Sequence, residues 1–187
     1  MEKDHINMLA VAGHKGFYSI QCGALLINNC TVLPLKFGGT GTNSESLQQP
    51  LDYPEGLESG TSSLVNISSL ATGIKYVEKH WSLIQSKIQR LTTYLLDQLH
   101  SLGNCHVYSS NTKSGVVSFL LEQVSSTDIA SYLNQHGICV RSGLHCAPMI
   151  HQYLSTTQSG LVRVSLSHFN KKSEINKLIH LLKSYKN

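Results

Sequence analysis

The segment Arg141-Ser142-Gly143-Leu144-His145-Cys146-Ala147-Pro148 puts a guanidinium, a turn glycine, an imidazole and a thiol within six residues. Gly137-Ile138-Cys139-Val140 precedes it and reads as a helix stop followed by a short apolar strand. A thiol on a loop after a strand, near fixed positive charge, is a setting that favours the nucleophilic thiolate. The alternative is that Cys146 is a small apolar residue of the interior. A second candidate lies far upstream. Gly13-His14-Lys15-Gly16 is a turn between two apolar stretches, Ile6 to Ala12 and Gly23 to Ile27. Strands on both sides put Lys15 at a strand edge, inside the fold. Partial desolvation there favours the neutral amine, which can form a Schiff base with an aldehyde. A solvated turn lysine is the plain alternative.

The elements that must position these groups can be read from periodicity. Phe37 to Gly60 is loop-like, and its Gly38-Gly39-Thr40-Gly41-Thr42 cluster can offer N–H groups and hydroxyls to an anion. It is not a Walker loop, because no Gly-Lys-Ser/Thr follows. Gly60-Thr61-Ser62-Ser63 opens a helix with Leu64, Ile67, Leu70, Ile74 and Val77 at helical spacing. A second helix is expected from about Trp81 to Leu102, with Leu83, Ile84, Ile88, Leu91, Leu95 and Leu99 on its stripe. Strands follow at Cys105–Tyr108 and Gly115–Leu121. Ser126-Thr127-Asp128 caps a helix that runs to His136 and stops at Gly137. Then come a strand at 138–141, the cysteine loop, a strand over Leu161–Leu166 and a last helix from a Ser173 cap to Tyr185. From about residue 80 this order describes a small α+β domain with helices covering a sheet.

Composition narrows the function classes. The chain has 187 residues, enough for one domain or one domain plus an arm. Only 14% are charged, against roughly a quarter in ordinary soluble domains, and that points to a partner subunit. The net charge of +4 is spread along the chain without a basic block, so no nucleic acid is expected. Five cysteines (Cys22, Cys30, Cys105, Cys139 and Cys146) form neither a disulfide framework nor a zinc-knuckle pattern, which fits reduced thiols in the cytoplasm. A metal cluster of Cys139, His145, Cys146 and His151 matches no common zinc spacing, and no metal is expected. No apolar run approaches the roughly 20 residues that span a bilayer, and no membrane association is expected.

Five segments, in order, resemble one family. Gly13-His14-Lys15-Gly16 resembles the pyridoxal-phosphate lysine motif of class V aminotransferases. Leu35-Lys36-Phe37-Gly38-Gly39-Thr40-Gly41 and Leu57-Glu58-Ser59-Gly60-Thr61 resemble the segments that follow it. Arg141 to Ala147 resembles the catalytic-cysteine loop of the cysteine desulfurase branch, the NifS- and SufS-like enzymes. Leu161-Val162-Arg163-Val164-Ser165-Leu166-Ser167-His168-Phe169-Asn170 resembles the strand that carries their carboxylate-binding arginine.

The resemblance implies the C-terminal portion of an α/β, aspartate-aminotransferase-like transferase fold that ends in a small α+β domain. Residues 1–75 would complete the cofactor-binding large domain, and residues 76–187 would form the small domain. Pyridoxal 5'-phosphate is the implied cofactor. Lys15 would be its Schiff-base lysine, and His14 would meet its phosphate. Gly38 and Thr61 would help complete the cofactor site of the partner subunit in a homodimer. Cys146 would be the nucleophile that takes sulfur from L-cysteine, leaving alanine. Arg163 would hold the substrate carboxylate, with Arg141 near the thiol. A sulfur-acceptor protein and iron–sulfur cluster assembly are the implied partner and pathway. A selenocysteine lyase, or a non-enzymatic module that keeps the small-domain fold, are the alternative readings. The family's ring-stacking residue, pyridinium partner and most phosphate ligands lie upstream of its lysine and have no counterpart here. Phe17 to Gly23 also lacks the glycines expected after the lysine, with Tyr18 and Ile20 among the bulky residues in their place.

Overall fold

The computed structural model describes residues 1–39, 41, 43–109 and 113–185. Thr40 and Thr42 of the glycine–threonine cluster therefore lie outside the described residues. The chain divides into two compact units, Met1–His80 and Trp81–Asn187.

In the first unit, β1 (Met8–Ala12) pairs antiparallel with β2 (Gly23–Ile27), Met8 opposite Ile27 and Ala12 opposite Gly23. Between them Gly13–Gly16 forms α1, a single helical turn. Gly13 N–H bonds to the Cys22 carbonyl at 2.8 Å and closes the connection. Neither strand hides its apolar residues: Met8, Leu9, Leu25 and Leu26 are all exposed. Residues 28–63 carry no helix or strand among those described beyond a 3-10 turn at Glu55–Leu57.

The two expected helices on either side of residue 80 are one. Helix α2 runs unbroken over Leu64–His100. The reason is in the sequence. Glu78, Lys79 and His80 contain no glycine, proline or capping residue, so nothing stops the ladder. Gly73 sits inside this helix for a packing reason, since a Cβ there would stand 1.7 Å from the Phe17 carbonyl oxygen.

The second unit is a three-stranded antiparallel sheet in the order β3 (Cys105–Val107), β4 (Val116–Leu121), β5 (Val162–Ser165). Strict alternation on β4 turns Val117, Phe119 and Leu121 to one face, all buried. Val162 and Val164 of β5 join them. The C-terminal half of α2 (Leu91, Leu95 and Leu99), α3 (Ser126–Gln135, through Ile129 and Leu133) and α5 (Lys172–Ser184, through Ile175, Leu178, Ile179 and Leu182) complete the core.

Several boundaries differ from the sequence reading. The cap of α3 is Ser125, whose Oγ accepts the Asp128 N–H at 3.1 Å. At α5 the capping group is the Glu174 carboxylate, which accepts the Lys171 N–H at 2.7 Å. The strand expected at 138–141 shrinks to one bridge at Arg141, because the Ile138 N–H closes the end of α3 on the Leu133 carbonyl. A short helix not expected from the sequence, α4, occupies Pro148–Tyr153.

Candidate active site

Strand alternation builds the second unit's site. With Val162 and Val164 buried in the core, Arg163 emerges on the other face of β5, half-buried. The start of the cysteine loop runs antiparallel beside it. Arg141 N–H bonds to the Arg163 carbonyl at 3.1 Å, and Arg163 N–H bonds to the Arg141 carbonyl at 2.7 Å. Gly143 and Leu161 exchange a second such pair, both at 3.1 Å. Residues directly opposite in such a ladder share a face. The Arg141 and Arg163 side chains thus leave the ladder on one face, and two guanidiniums on one face suit a carboxylate or another anion.

The ladder releases the chain at Leu144, and the next two residues adopt left-handed backbone: His145 at φ +53° and Cys146 at φ +60°. Two successive non-glycine residues in that region are uncommon and cost on the order of 1–2 kcal/mol each. Cys146 is exposed. His145 Nε2 lies 3.1 Å from the Leu161 carbonyl, which only accepts, so Nε2 carries the proton. Among the described residues neither its buried Nδ1 nor the buried Arg163 Nε has a hydrogen-bond partner. Burial holds the His145 pKa below the usual imidazole value, and Arg163, His151 and Arg141 push it the same way against the opposing Leu161 bond. Its ring stands 5.9 Å from that of His151, which is buried and bonded through Nδ1 to Thr156 Oγ1 at 2.8 Å. The sequence reading passed over this His151–Thr156 pair. Pro148, which favours the first position of a helix, was the available signal for the α4 turn that holds His151.

In the first unit the structure corrects the expectation for Lys15. The side chain is exposed rather than inside the fold, as is His14. Most apolar residues of the hairpin are themselves exposed, so the flanking strands do not desolvate it. Neither side chain makes a hydrogen bond or ion pair with another described residue. The pair is therefore a primary amine and an imidazole open to a ligand. Gly38 and Thr61 come close together, since Gly60 N–H bonds to the Gly38 carbonyl at 3.0 Å. Gln49 organises this loop. Its buried side chain accepts the Gly38 N–H at 2.9 Å and donates to the Gly56 carbonyl at 2.8 Å. Nothing in the spacing marked Gln49. Lys15 and His14 belong to one unit, and Arg141, Cys146 and Arg163 to the other. Among the described residues no group of three or more His, Cys, Asp or Glu side chains could hold a metal ion, and no helix is long and apolar enough to cross a membrane.

Residues 1–178 match the family model for aminotransferase class V. The chain belongs to that family. A probable cysteine desulfurase of Staphylococcus aureus strain Mu50 is 30% identical over 158 residues, which are 82% of this chain and 38% of the relative. The apo structure of a cysteine desulfurase from Thermococcus onnurineus NA1 superposes with a TM-score of 0.82 at 27% identity, covering 98% of this chain and 48% of that one. A mutant of C-DES, solved with glycine covalently linked to its PLP cofactor, shares the fold with a TM-score of 0.73 at 18% identity, covering 99% of this chain and 48% of that one. The class V chain described here thus spans less than half the length of the relatives it matches. It has the α/β fold of the pyridoxal-phosphate-dependent cysteine desulfurases over that span and is cysteine-desulfurase-like by homology.

Proposed function

We propose that this chain carries the cofactor-attachment lysine and the sulfur-accepting cysteine of a pyridoxal-phosphate-dependent cysteine desulfurase. The observation that supports this most is the exposed Cys146, presented on a loop laddered to the strand of Arg163. Pyridoxal phosphate, when bound, supplies an electron sink for the substrate's Cα. Lys15 holds it through Nζ and takes the Cα proton, and His14 meets its phosphate. Gly38 and Thr61, joined at the Gly38–Gly60 bond, complete the partner's cofactor site in a homodimer. Arg163 binds the carboxylate of L-cysteine in the bidentate manner that guanidinium geometry suits, and Arg141 adds positive charge beside the thiol. The Cys146 thiolate attacks the substrate sulfur. As the S–S bond forms, the substrate Cβ–S bond breaks and its electron pair goes to carbon. Protonation of that carbon and return of the Cα proton from Lys15 give L-alanine and leave a persulfide on Cys146. A sulfur-acceptor protein then takes the outer sulfur for iron–sulfur cluster assembly in the cytoplasm.

The test has two stages. Purified chain is mixed with pyridoxal phosphate and its visible absorbance recorded, then repeated with Lys15→Ala. A cofactor band lost in the variant is expected; a band that survives it sinks the role of Lys15. Alanine release from L-cysteine is then followed after adding the N-terminal half of a class V relative, with Cys146→Ser beside it. Full turnover in that variant removes the persulfide role.

A further inference from the structure

The two buried, unpartnered side-chain nitrogens in the second unit, His145 Nδ1 and Arg163 Nε, have complementary needs. Because His145 commits its Nε2–H to the Leu161 carbonyl, Nδ1 is left with a lone pair and no proton. Arg163 Nε always carries a proton and can only donate. Leaving a buried donor and a buried acceptor unmade is expensive, and each is the group the other lacks. The backbone ladder brings their chain segments together: His145 reaches the carbonyl of Leu161, two residues before Arg163 and just ahead of β5.

We propose that His145 is a positioning residue for Arg163: its Nδ1 accepts, through one bridging water, the hydrogen bond that the Arg163 Nε–H donates, and so sets the plane of the guanidinium with both Nη groups left for a carboxylate. The inference rests on the reading of Arg163 as substrate anchor for its purpose; the pairing itself rests on the two orphaned atoms. The groups around the imidazole suit the role. Arg163, Arg141 and His151 all disfavour a second proton on the ring, which would abolish the acceptor. Left-handed backbone at residue 145 turns the imidazole back toward β5 while Cys146 stays exposed. One side chain then couples the geometry of the thiol loop to that of the anion anchor.

The test needs neither cofactor nor L-cysteine, so it succeeds or fails independently of desulfurase activity. Solvent exchange of the Arg163 Nε–H is measured by NMR in the full chain, with two variants that split the imidazole's functions. His145→Asn keeps an acceptor near the Nδ1 position and loses the donor to Leu161. His145→Gln keeps a donor near Nε2 and loses the Nδ1 acceptor. Exchange about tenfold faster in the glutamine variant, and close to wild type in the asparagine variant, is expected from loss of one charge-assisted hydrogen bond. The reverse order would show a merely structural lock on Leu161 and overturn the proposal, as would equal rates in all three proteins. A wild-type measurement keeps the idea exposed if a variant fails to fold. The His145 Nδ1 resonance should report an accepted hydrogen bond and shift in Arg163→Ala; an Nδ1 resonance indifferent to Arg163 refutes the pairing.

Discussion

Gly160→Ala tests how the cysteine loop is held. Gly160 has φ +59°, and a Cβ built there would stand 2.7 Å from Gly143 Cα and 2.7 Å from Ser126 Oγ. The first of these is backbone of the cysteine loop, and the second belongs to a buried serine whose hydroxyl donates to the Ser159 carbonyl at 2.6 Å. Neither neighbour can swing away cheaply. Left-handed backbone costs an alanine on the order of 1–2 kcal/mol, and overpacking adds typically 1–3, so the loss is about 2–5 kcal/mol. At a urea dependence of about 2 kcal/mol per molar, the unfolding midpoint falls by about 1–2.5 M. Gly103→Ala is the control, since no atom lies within 4 Å of its Cβ, and it should stay within about 0.5 kcal/mol of wild type. Amide exchange localises the effect. The Gly143 N–H, bonded to the Leu161 carbonyl, should lose protection in Gly160→Ala. A midpoint within about 0.5 kcal/mol of wild type, with Gly143 still protected, would refute the claim that close backbone approach at Gly160 fixes the loop.

Three further outcomes follow from single observations. Ser125→Ala removes the oxygen that accepts the Asp128 N–H and should cost about 1 kcal/mol in urea unfolding of the second unit. The Lys171 N–H, the Asn170 side chain and the Lys171 charge hold the Glu174 carboxyl below the usual glutamate value. A depressed carboxyl stabilises the fold above its unfolded pKa, and that contribution disappears as pH falls through the folded value. Glu174→Ala should therefore be less stable than wild type at neutral pH, with the gap closing in acid; a gap independent of pH would contradict the cause given. Burial pushes the Cys105 thiol up to about 12, while Cys139 and Cys146 are exposed. Iodoacetamide at mildly alkaline pH, followed by peptide mass analysis, should label Cys139 and Cys146 well before Cys105.

What the sequence revealed and hid divides along physical lines. The stripe on α5 and the alternation on β4 are local patterns, and both elements formed where the patterns lie. The continuity of α2 was equally local, because Glu78-Lys79-His80 contains no stop; a break was read where none is encoded. The pairing of Arg141 with Arg163 is different. It joins residues 22 apart with α4 in the intervening chain, a long-range pairing that no spacing rule states. The exposure of Lys15 was hidden for a related reason. Strands that flank a residue in sequence bury it only if something covers the sheet, and burial is a property of the covering element. Gln49, which ties Gly38 to Gly56, resembles any other loop glutamine until its side chain is seen inside.

The contrast between the units orders what this chain can do unaided. Cys146 and Arg163 hang on a sheet whose core residues Val117, Phe119 and Val162 are 0% exposed, and four backbone bonds fix the loop to that sheet. Lys15 hangs on a two-stranded hairpin, an element marginal in water by itself. Elsewhere in the same unit Leu33, Leu35, Leu47 and Leu64 are 79%, 94%, 102% and 76% exposed. The fixed points of its turn include the Gly13–Cys22 bond, the tight seat of Phe17 on Gly73 and the Ile20 N–H donated to Ser69 Oγ, all close to solvent-exposed chain. Opening of the lysine turn therefore costs less than opening of the cysteine loop. Hydrogen exchange should show the amides of Gly13 and Phe17 exchanging before those of Gly143 and Arg163. If the proposed chemistry fails in this chain, the expected point of failure is Lys15, with Cys146 and Arg163 still held on their sheet.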